Sequence, residues 1–164
     1  MKTSEDFDII YRTHYDKVFR LCKGYFNGDT EIASDVTQEV FIKVLEHLAT
    51  FRSESKISTW IYRIASNTCL MYLRKQSSKK EFHVKELPDA ALEMDNSIIE
   101  DKLQKMYGCI SQLEPTNKLV ITMVLENLPY PEIANVIGIS EDNLRVRIHR
   151  IKTTLTKCVQ NGKI

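Results

Sequence analysis

Apolar residues recur every three or four positions along almost the whole chain, and this spacing predicts helices that each bury one face. In the first segment the apolar positions near one helix face are Phe7, Ile10, Tyr11, Val18, Leu21, Cys22 and Tyr25. The alternation of apolar and polar residues that is typical of strands does not occur, and no segment is repeated. The sequence therefore predicts an all-α protein.

Turn residues divide this pattern into separate helices. A break at residues 27–29, with the sequence Asn-Gly-Asp, ends the first helix, and a second helix is predicted over residues 30–47. The polar, serine-rich stretch 51–58 predicts a loop before a third helix, for which Ser58 or Thr59 is a suitable N-cap.

The helical periodicity is lost between residues 76 and 97, where the composition is typical of a linker. Further helices are predicted over 98–113, from Pro115 onwards, over 130–137 and over 141–158. In the first of these helices the inward residues are expected to be Ile98, Leu103, Met106 and Ile110. We therefore expect two small helical bundles, domains of residues 1–76 and 98–164, joined by a flexible linker over residues 77–97.

The formal net charge of the 164 residues is only +1, but the charge is unevenly distributed. Residues 52–80 contain seven basic residues and one acidic residue, and residues 139–164 contain six basic and two acidic ones. The segment between these blocks is acidic. Two basic blocks on one chain indicate two contacts with the same polyanion. Two ordinary solvated helix faces would explain the blocks equally well.

Other features narrow the class of protein. No apolar run approaches the roughly 20 residues that a membrane helix needs, and the acidic N-terminal segment lacks the apolar core of a secretory signal. We therefore expect a cytoplasmic protein. The four cysteines, at positions 22, 69, 109 and 158, form no CxxC pair and have no histidine at ligand spacing. They are predicted to be reduced thiols, with no metal site and no disulfide framework.

Residues 131–144 have the spacing of a helix-turn-helix. Ala134 is small enough for two helices to cross closely, and Gly138, four positions later, tolerates the positive φ of a tight turn. Ser140 is a suitable N-cap for the second helix. Apolar contacts between the two helices are offered by Ile133, Ile137, Ile139, Leu144 and Ile148.

The second helix of this motif is expected to present cationic residues to solvent. When its apolar positions face inward, the other faces carry Arg145, His149, Arg150 and Lys152. Arginine pairs with guanine edges in the major groove, and arginine or lysine contacts phosphates. An ordinary helical hairpin with a cationic face would have a similar sequence, but the number of features at matching spacing favours DNA binding.

The polar loop after the second helix, together with the helix that follows it, indicates another nucleic-acid contact. Basic residues of the loop lead into a helix that carries Trp60, Arg63 and Asn67. Aromatic rings stack on unpaired bases, cations follow phosphates and an amide reads a base edge, so this segment is suited to single-stranded DNA. Taken alone, Trp60 is better explained as a core residue and Asn67 as a helix-surface residue.

The combined pattern resembles one protein family. The segments concerned are residues 35–44 (DVTQEVFIKV), 58–67 (STWIYRIASN), 72–75 (YLRK) and the helix-turn-helix that ends in RVRIHR at 145–150. In order and spacing they are similar to the extracytoplasmic-function (ECF) subfamily of sigma-70-type bacterial transcription initiation factors. The likeness covers nearly the whole chain except the linker, and the subfamily likewise lacks region three of the family.

The resemblance implies a partner for each matching segment. The first segment would dock on the β′ clamp helices of core RNA polymerase, with Asp35, Gln38, Glu39 and Ile42 as the implied residues. The second would capture a flipped base of the melted non-template strand at the minus-ten element. The implied minus-ten residues are Arg52, Lys56, Trp60, Arg63, Asn67 and Arg74. The last domain would contact the β flap and read the minus-thirty-five element of duplex promoter DNA, through Asn143, Arg145, Val146, His149 and Arg150.

The same resemblance implies a sigma factor that directs promoter recognition and DNA melting, is not itself an enzyme, and needs no cofactor, metal or small-molecule substrate. It also implies an anti-sigma factor as partner, which is membrane-bound for many members of the family. The chain departs from the common family pattern at Met71, Pro131, Asn143-Leu144 and Val146. These departures leave the spacing of the core residues intact. They affect which promoter sequence the protein recognises, because Val146 cannot donate a hydrogen bond to a base.

Two other hypotheses belong to different classes of protein. In the first, the chain is a helix-turn-helix regulator that binds duplex DNA without polymerase, and residues 1–76 sense a ligand or form a dimer. In the second, the chain is a small helical enzyme that uses Cys22 and His14. Two turns of helix separate this pair by about 12 Å along the axis, which is too far for a nucleophile and its base, so the sequence disfavours the enzyme.

Overall fold

The structure is a computed structural model that describes residues 4–78 and 97–162. Within these ranges it contains α-helices and one short 3₁₀ helix, and no strand. The elements are α1 (Ser4–Tyr25), α2 (Thr30–His47), the 3₁₀ helix (Leu48–Thr50), α3 (Ile57–Ser78), α4 (Ser97–Ser111), α5 (Pro115–Leu125), α6 (Tyr130–Ile137) and α7 (Glu141–Asn161). The predicted all-α architecture is therefore confirmed.

The helices form two groups, which we call the N-terminal bundle (α1–α3) and the C-terminal bundle (α4–α7). Within the first group α2 packs against both α1 and α3, and within the second α7 packs against α4, α5 and α6. The two predicted bundles are thus confirmed. Apart from residues 77, 78 and 97, which belong to helix ends, the predicted flexible linker over 77–97 lies outside the described residues.

A tight turn joins the first two helices and fixes where α2 begins. Gly28 has a φ of 84°, in the left-handed region that glycine adopts without strain. The carboxylate of Asp29 then accepts hydrogen bonds from the backbone N–H groups of Glu31 and Ile32, both at 3.1 Å. This cap satisfies two of the N–H groups that a helix start leaves unpaired. The bounds predicted for the second helix, residues 30–47, agree with those of α2.

The start of α3 differs from the sequence prediction. The helix begins at Ile57, and the carbonyl of Lys56 already accepts a hydrogen bond from the Trp60 N–H at 3.2 Å. Ser58 and Thr59 therefore lie inside the first turn, and the prediction that one of them is the N-cap was wrong. Their hydroxyls donate instead to a carboxylate of the C-terminal bundle, a partner that the local sequence does not reveal.

The helix-turn-helix geometry agrees with the prediction. Gly138 ends α6 with a φ of 83°, and its N–H donates to the carbonyl of Ala134. The hydroxyl of Ser140 accepts a hydrogen bond from the Asn143 N–H at 3.2 Å and so caps α7. The predicted inward face of α7 is buried, with Leu144, Ile148, Ile151 and Leu155 all in the core.

The N-terminal half of α4 is more exposed than its apolar sequence predicts. Ile110 is buried and Met106 is half-buried, but Ile98 is 71% exposed and Leu103 is 46% exposed. The prediction that all four face inward was therefore wrong for Ile98 and Leu103. The reason is that α4 packs on α7 through its second half, while its first turns lie beyond the contact with that helix.

The cysteines lie in two pairs, one in each bundle. Cys109 of α4 and Cys158 of α7 form a disulfide, with their Cα atoms 5.9 Å apart. Cys22 of α1 and Cys69 of α3 are free and buried, and their sulfur atoms are 3.9 Å apart. The prediction of four reduced thiols was thus wrong for Cys109 and Cys158, because a separation of 49 residues does not reveal that α4 and α7 lie side by side.

The two bundles pack against each other and share a buried core. Contacts run between α1 and α5 and between α3 and α6. Gly24 of α1 permits the first of these, since a Cβ atom at this position would lie 2.7 Å from Cγ2 of Thr122. Beside it, Lys118 is only 7% exposed, with its Nζ 4.9 Å from the centre of the Tyr25 ring. This packing places α6 directly against the helix predicted to contact single-stranded DNA.

Candidate nucleic-acid interface

The exposed face of α7 brings together all the residues predicted for duplex recognition. The burial of one apolar stripe of this helix leaves the opposite side in solvent. The exposed residues on that side are Asn143, Arg145, Val146, His149 and Arg150. A helix that presents arginines in this way suits the major groove, where the guanidinium meets guanine edges and phosphates.

Arg145 is held in place by two neighbours. Its terminal nitrogen lies 2.7 Å from the carboxylate of Glu141, one turn earlier on α7. Its guanidinium carbon also lies 5.3 Å from the centre of the Tyr130 ring on α6. These contacts limit the rotamers of a long side chain, so they orient Arg145 before any ligand is present.

An open groove of about 670 Å³ lies beside the same face of α7. One wall consists of residues 112–114, in the turn between α4 and α5, together with Asn117 of α5, and the other includes Val146, Arg147 and Arg150. Arg147 was not among the predicted site residues. Arg147 lies three residues before Arg150, so the two side chains are on adjoining parts of one helix face. This i, i+3 spacing could have revealed Arg147 in the sequence.

The residues predicted for single-stranded DNA lie on α3 and the loop before it. Arg63, Asn67 and Arg74 are exposed along α3, and Arg52 and Lys56 are exposed in the loop. The spacing of Arg63, Asn67 and Arg74 places them near one side of the helix. The structure therefore brings these five basic and amide side chains to the surface of the same bundle.

Trp60 has an intermediate position between core and surface. It is half-buried and packs on Phe51, with the ring centres 4.8 Å apart. Taken alone, Trp60 was expected to be a core residue, and the family resemblance implied a DNA contact. Its half-buried position is compatible with both. The indole packs against the core of the bundle and is partly accessible to solvent.

The residues predicted to bind polymerase lie along α2. Asp35 and Gln38 are exposed, and Ile42 is exposed over 57% of its surface. Glu39 is half-buried and pairs with Lys43 at 3.1 Å, an ordinary i, i+4 ion pair. An exposed isoleucine among acidic and amide groups is typical of a protein-docking surface rather than of a DNA contact.

Leu45 extends this surface and was missed in the sequence. It is 53% exposed and lies three positions after Ile42 on the same helix. The i, i+3 spacing could have revealed it, because α2 buries a different apolar stripe that includes Val36, Val40 and Val44. Together Ile42 and Leu45 form the apolar centre of this exposed face of α2.

The pair considered for an enzyme, Cys22 and His14, lies on α1 in the N-terminal bundle. Cys22 is fully buried and faces Cys69, and the hydrogen bond between the two thiols, together with burial, raises the pKa of Cys69. Burial lowers the pKa of His14, and the nearby Lys17 adds to this effect. The cysteine therefore has no exposed face for a substrate in the described part of the chain.

Two family descriptions match the chain. Residues 10–79 match Sigma-70 region 2, and residues 103–155 match Sigma-70, region 4. The ECF RNA polymerase sigma-E factor of Escherichia coli (strain K12) is 31% identical, over 94% of this chain and 86% of the relative. The chain belongs to the ECF subfamily of sigma-70 factors. The resemblance drawn from the sequence motifs is thereby confirmed.

The chain is also similar to other sigma factors. The ECF RNA polymerase sigma factor SigW of Bacillus subtilis (strain 168) is 26% identical over 87% of this chain and 82% of its own. CnrH in complex with the cytosolic domain of CnrY has a TM-score of 0.70 and 17% identity, over 96% of this chain and 90% of CnrH. RpoE of Bartonella quintana in complex with the anti-sigma factor NepR also has a TM-score of 0.70, with 16% identity, over 96% of this chain and 98% of RpoE. These two structures share the fold.

As a sigma factor for transcription initiation, the protein has core RNA polymerase and promoter DNA as its partners. Sigma factors in general are not enzymes. Over residues 4–78 and 97–162, none of the helices is both long and apolar enough to cross a membrane.

Proposed function

We propose that this sigma factor reads the two promoter elements with two different helices and binds polymerase with a third. The exposed side of α3 and its preceding loop contact the melted minus-ten element, α7 enters the major groove at minus thirty-five, and α2 docks on the β′ clamp helices. The observation that carries the proposal is the separate clustering of the three residue sets, on α7, on α3 with its preceding loop, and on α2, within the two matched regions.

At the minus-thirty-five element, the chemistry of α7 divides between polar and apolar readout. Arg145 and Arg150 are placed to pair with guanine edges or phosphates, and Val146, 51% exposed, offers an apolar contact for a thymine methyl group. Arg147, in the groove beside Arg150, adds a cation for the backbone. A valine in the centre of the face favours a thymine-containing site.

At the minus-ten element, α3 binds a single strand. Extrusion of a base costs a few kcal/mol, which contacts to the backbone and the flipped base offset. Arg52, Lys56 and Arg63 supply cations for phosphates, and the amide of Asn67 supplies one donor and one acceptor for a base edge. Trp60 lies beside them as a stacking surface.

The remaining parts of the proposal concern organisation and setting. Residues 1–76 and 98–164 act as separate domains, with a linker over 77–97, and the second domain contacts the β flap. The protein has no catalytic activity of its own and works in the cytoplasm. An anti-sigma factor binds it, as NepR binds RpoE of Bartonella quintana in the complex of similar fold.

A reconstituted reaction tests this function. Purified core polymerase, this protein and genomic fragments should give initiation at selected sites, and Arg150→Ala should reduce initiation at those sites roughly tenfold while leaving polymerase binding unchanged. Ile42→Asp should instead abolish polymerase binding, and with it initiation at every site. Absence of site-selective initiation with the unaltered protein would refute the proposal. Tight binding to intact duplex without polymerase would instead favour the simple helix-turn-helix regulator.

A further inference from the structure

Two buried thiols meet in the core of the N-terminal bundle. Cys22 of α1 and Cys69 of α3 are fully buried, and their sulfur atoms lie 3.9 Å apart. They are 47 residues apart along the chain, so their spacing predicted no metal site, and only the packing of α1 on α3 brings them together. Thiolates are soft ligands that select Cu(I) and other thiophilic metal ions. The pair therefore supplies two such ligands at one point of the fold.

A buried cation without a carboxylate partner lies beside the thiols. Lys118 of α5 is only 7% exposed, and its ammonium lies over the Tyr25 ring and close enough to Cys69 for an electrostatic interaction. Among the described residues no carboxylate forms an ion pair with it. An unpaired charge in a protein interior is costly, so a buried ammonium normally faces an anion. The two thiols, as thiolates, can supply that anion.

The same place holds a hydrogen-bond donor that is not used. Tyr25 is fully buried beside Cys69, and its hydroxyl has no hydrogen-bond partner in the part of the chain that the structure describes. A buried hydroxyl without a partner costs free energy, whereas a donor beside a metal-bound thiolate stabilises the ligand. A negatively charged complex of the two thiolates would thus find a cation, Lys118, and a donor, Tyr25, already in place.

The geometry points to Cys22 and Cys69 as the ligands of one soft, monovalent, two-coordinate metal ion, with Cu(I) as its chemical type. Each thiol releases its proton to solvent and the metal forms a bond to each sulfur, so no electron is transferred. Two metal–thiolate bonds of about 2.3 Å, the length known for zinc, span at most about 4.6 Å, so the sulfur atoms move apart by less than about 1 Å. The complex has a single negative charge, which the ammonium of Lys118 balances.

Charge and ligand number disfavour the commoner metals of thiolate sites. Structural zinc takes four ligands, and the described residues contain no group of three or more His, Cys, Asp or Glu that could hold a metal ion. A divalent ion with two thiolates would be neutral and would leave Lys118 without an anion. The monovalent ion joins α1 to α3, so its binding stabilises the N-terminal bundle.

The test titrates the whole protein with Cu(I) in the absence of oxygen, against the coloured indicator bicinchoninate and with ascorbate as reductant. With the disulfide closed, Cys22 and Cys69 are the only thiols of the chain. The protein should take one Cu(I) from the indicator, and Cys22→Ser should lower the affinity more than about a hundredfold, since a thiolate ligand is lost. Cys109→Ser with Cys158→Ser is the matched control and should change the affinity less than about twofold, because distant sites act independently. Equal affinities of the unaltered protein and Cys22→Ser would overturn the inference.

The countercharge is tested separately. Lys118→Met removes the charge but keeps an unbranched side chain, and it should lower the Cu(I) affinity about tenfold, as the loss of an outer-shell partner does. Lys102→Met, on the exposed part of α4, is the control for the loss of one positive charge and should change the affinity less than about twofold. If both variants lose the same affinity, Lys118 is not the countercharge, and the assignment of a monovalent ion is wrong.

X-ray absorption of the unaltered protein loaded with copper decides the question where a variant fails to fold. The copper ion should have two sulfur neighbours and no nitrogen or oxygen neighbour. At a free Cu(I) concentration about a hundred times Kd, the melting temperature should rise by more than about 4 °C. A copper ion with three or more ligands, or an unchanged melting temperature, would overturn the inference. The proposed function is unaffected by either result, because the site uses none of the residues proposed to contact DNA or polymerase.

Discussion

At the scale of single residues, α3 shows how one helix divides its side chains between core and interface. Ile61, Ala65 and Cys69 are buried at helical spacing, which turns Arg63 and Asn67 towards solvent. The apolar positions therefore select which polar residues remain available for DNA. This division follows from the helical periodicity of α3.

Asn67→Ala should change the preference at a single minus-ten base rather than weaken binding uniformly. The amide is the neutral, hydrogen-bonding member of the α3 set, and loss of one such pair reduces discrimination by about 1–3 kcal/mol. The base preference at each position is measured by initiation from a promoter library that is randomised over the minus-ten element. Arg52→Ala is the control, because loss of a backbone cation should lower initiation at all sequences alike. An unchanged base preference would remove Asn67 from base readout.

At the scale of elements, the disulfide is the strongest constraint on how α4 and α7 pair. Cys109 and Cys158 are 3% and 0% exposed, and they join the first and last helices of the C-terminal bundle. The bond closes a long loop around α5 and α6, so it reduces the conformational entropy of the unfolded chain. In its absence, α4 is held to α7 by the packing of its second half alone.

Cys158→Ser should lower the stability of the oxidised protein and have a much smaller effect on the reduced one. The loop-entropy relation gives about 4 kcal/mol for a separation of 49 residues. Thermal unfolding by circular dichroism, with and without prolonged treatment with reductant, measures this. Cys22→Ser is the control, because Cys22 forms no disulfide and its substitution should act equally in both conditions. If Cys158→Ser lowers the stability by the same amount with and without reductant, the effect comes from packing and not from the disulfide.

At the scale of the whole molecule, the junction between the bundles buries ionisable groups. Burial lowers the pKa of Lys118, against a smaller opposing effect of Cys69. Burial and Lys17 lower the pKa of His14, and Glu132 of α6 partly opposes them. The folded protein therefore binds a proton at His14 less readily than the unfolded chain does, so acid disfavours the folded state.

The lowered pKa of His14 gives a pH dependence with a defined sign. Its contribution to stability is complete above the ordinary pKa of 6.5 and is lost as the pH falls through the lowered value. Between about pH 7.5 and about pH 5.5, the melting temperature of the unaltered protein should fall a few degrees further than that of His14→Gln. His149→Gln is the control, since His149 is exposed on α7 and should leave the profile unchanged. Parallel profiles for the unaltered protein and His14→Gln would contradict this assignment.

Several features of the fold and the site could be predicted because their causes lie within a few residues. The bounds of α2 follow from the Asn-Gly-Asp turn, and the cap of α7 follows from Ser140. The exposed arginines of α7 follow from the burial of Leu144 and Ile148 one turn apart. In each case the interacting residues lie within about four positions of each other, so the local sequence is sufficient to predict the structure.

The sequence by itself determined the helices, the buried face of α7, the helix-turn-helix and the motifs of the sigma factor family. Only the tertiary structure decided that Ser58 and Thr59 bind a carboxylate rather than cap their helix, and that Cys109 meets Cys158. Their partners lie 73 to 74 and 49 residues away along the chain. Such contacts depend on how whole helices pack, and periodicity, which reports only on which face of a helix is apolar, cannot specify the residue on the other side.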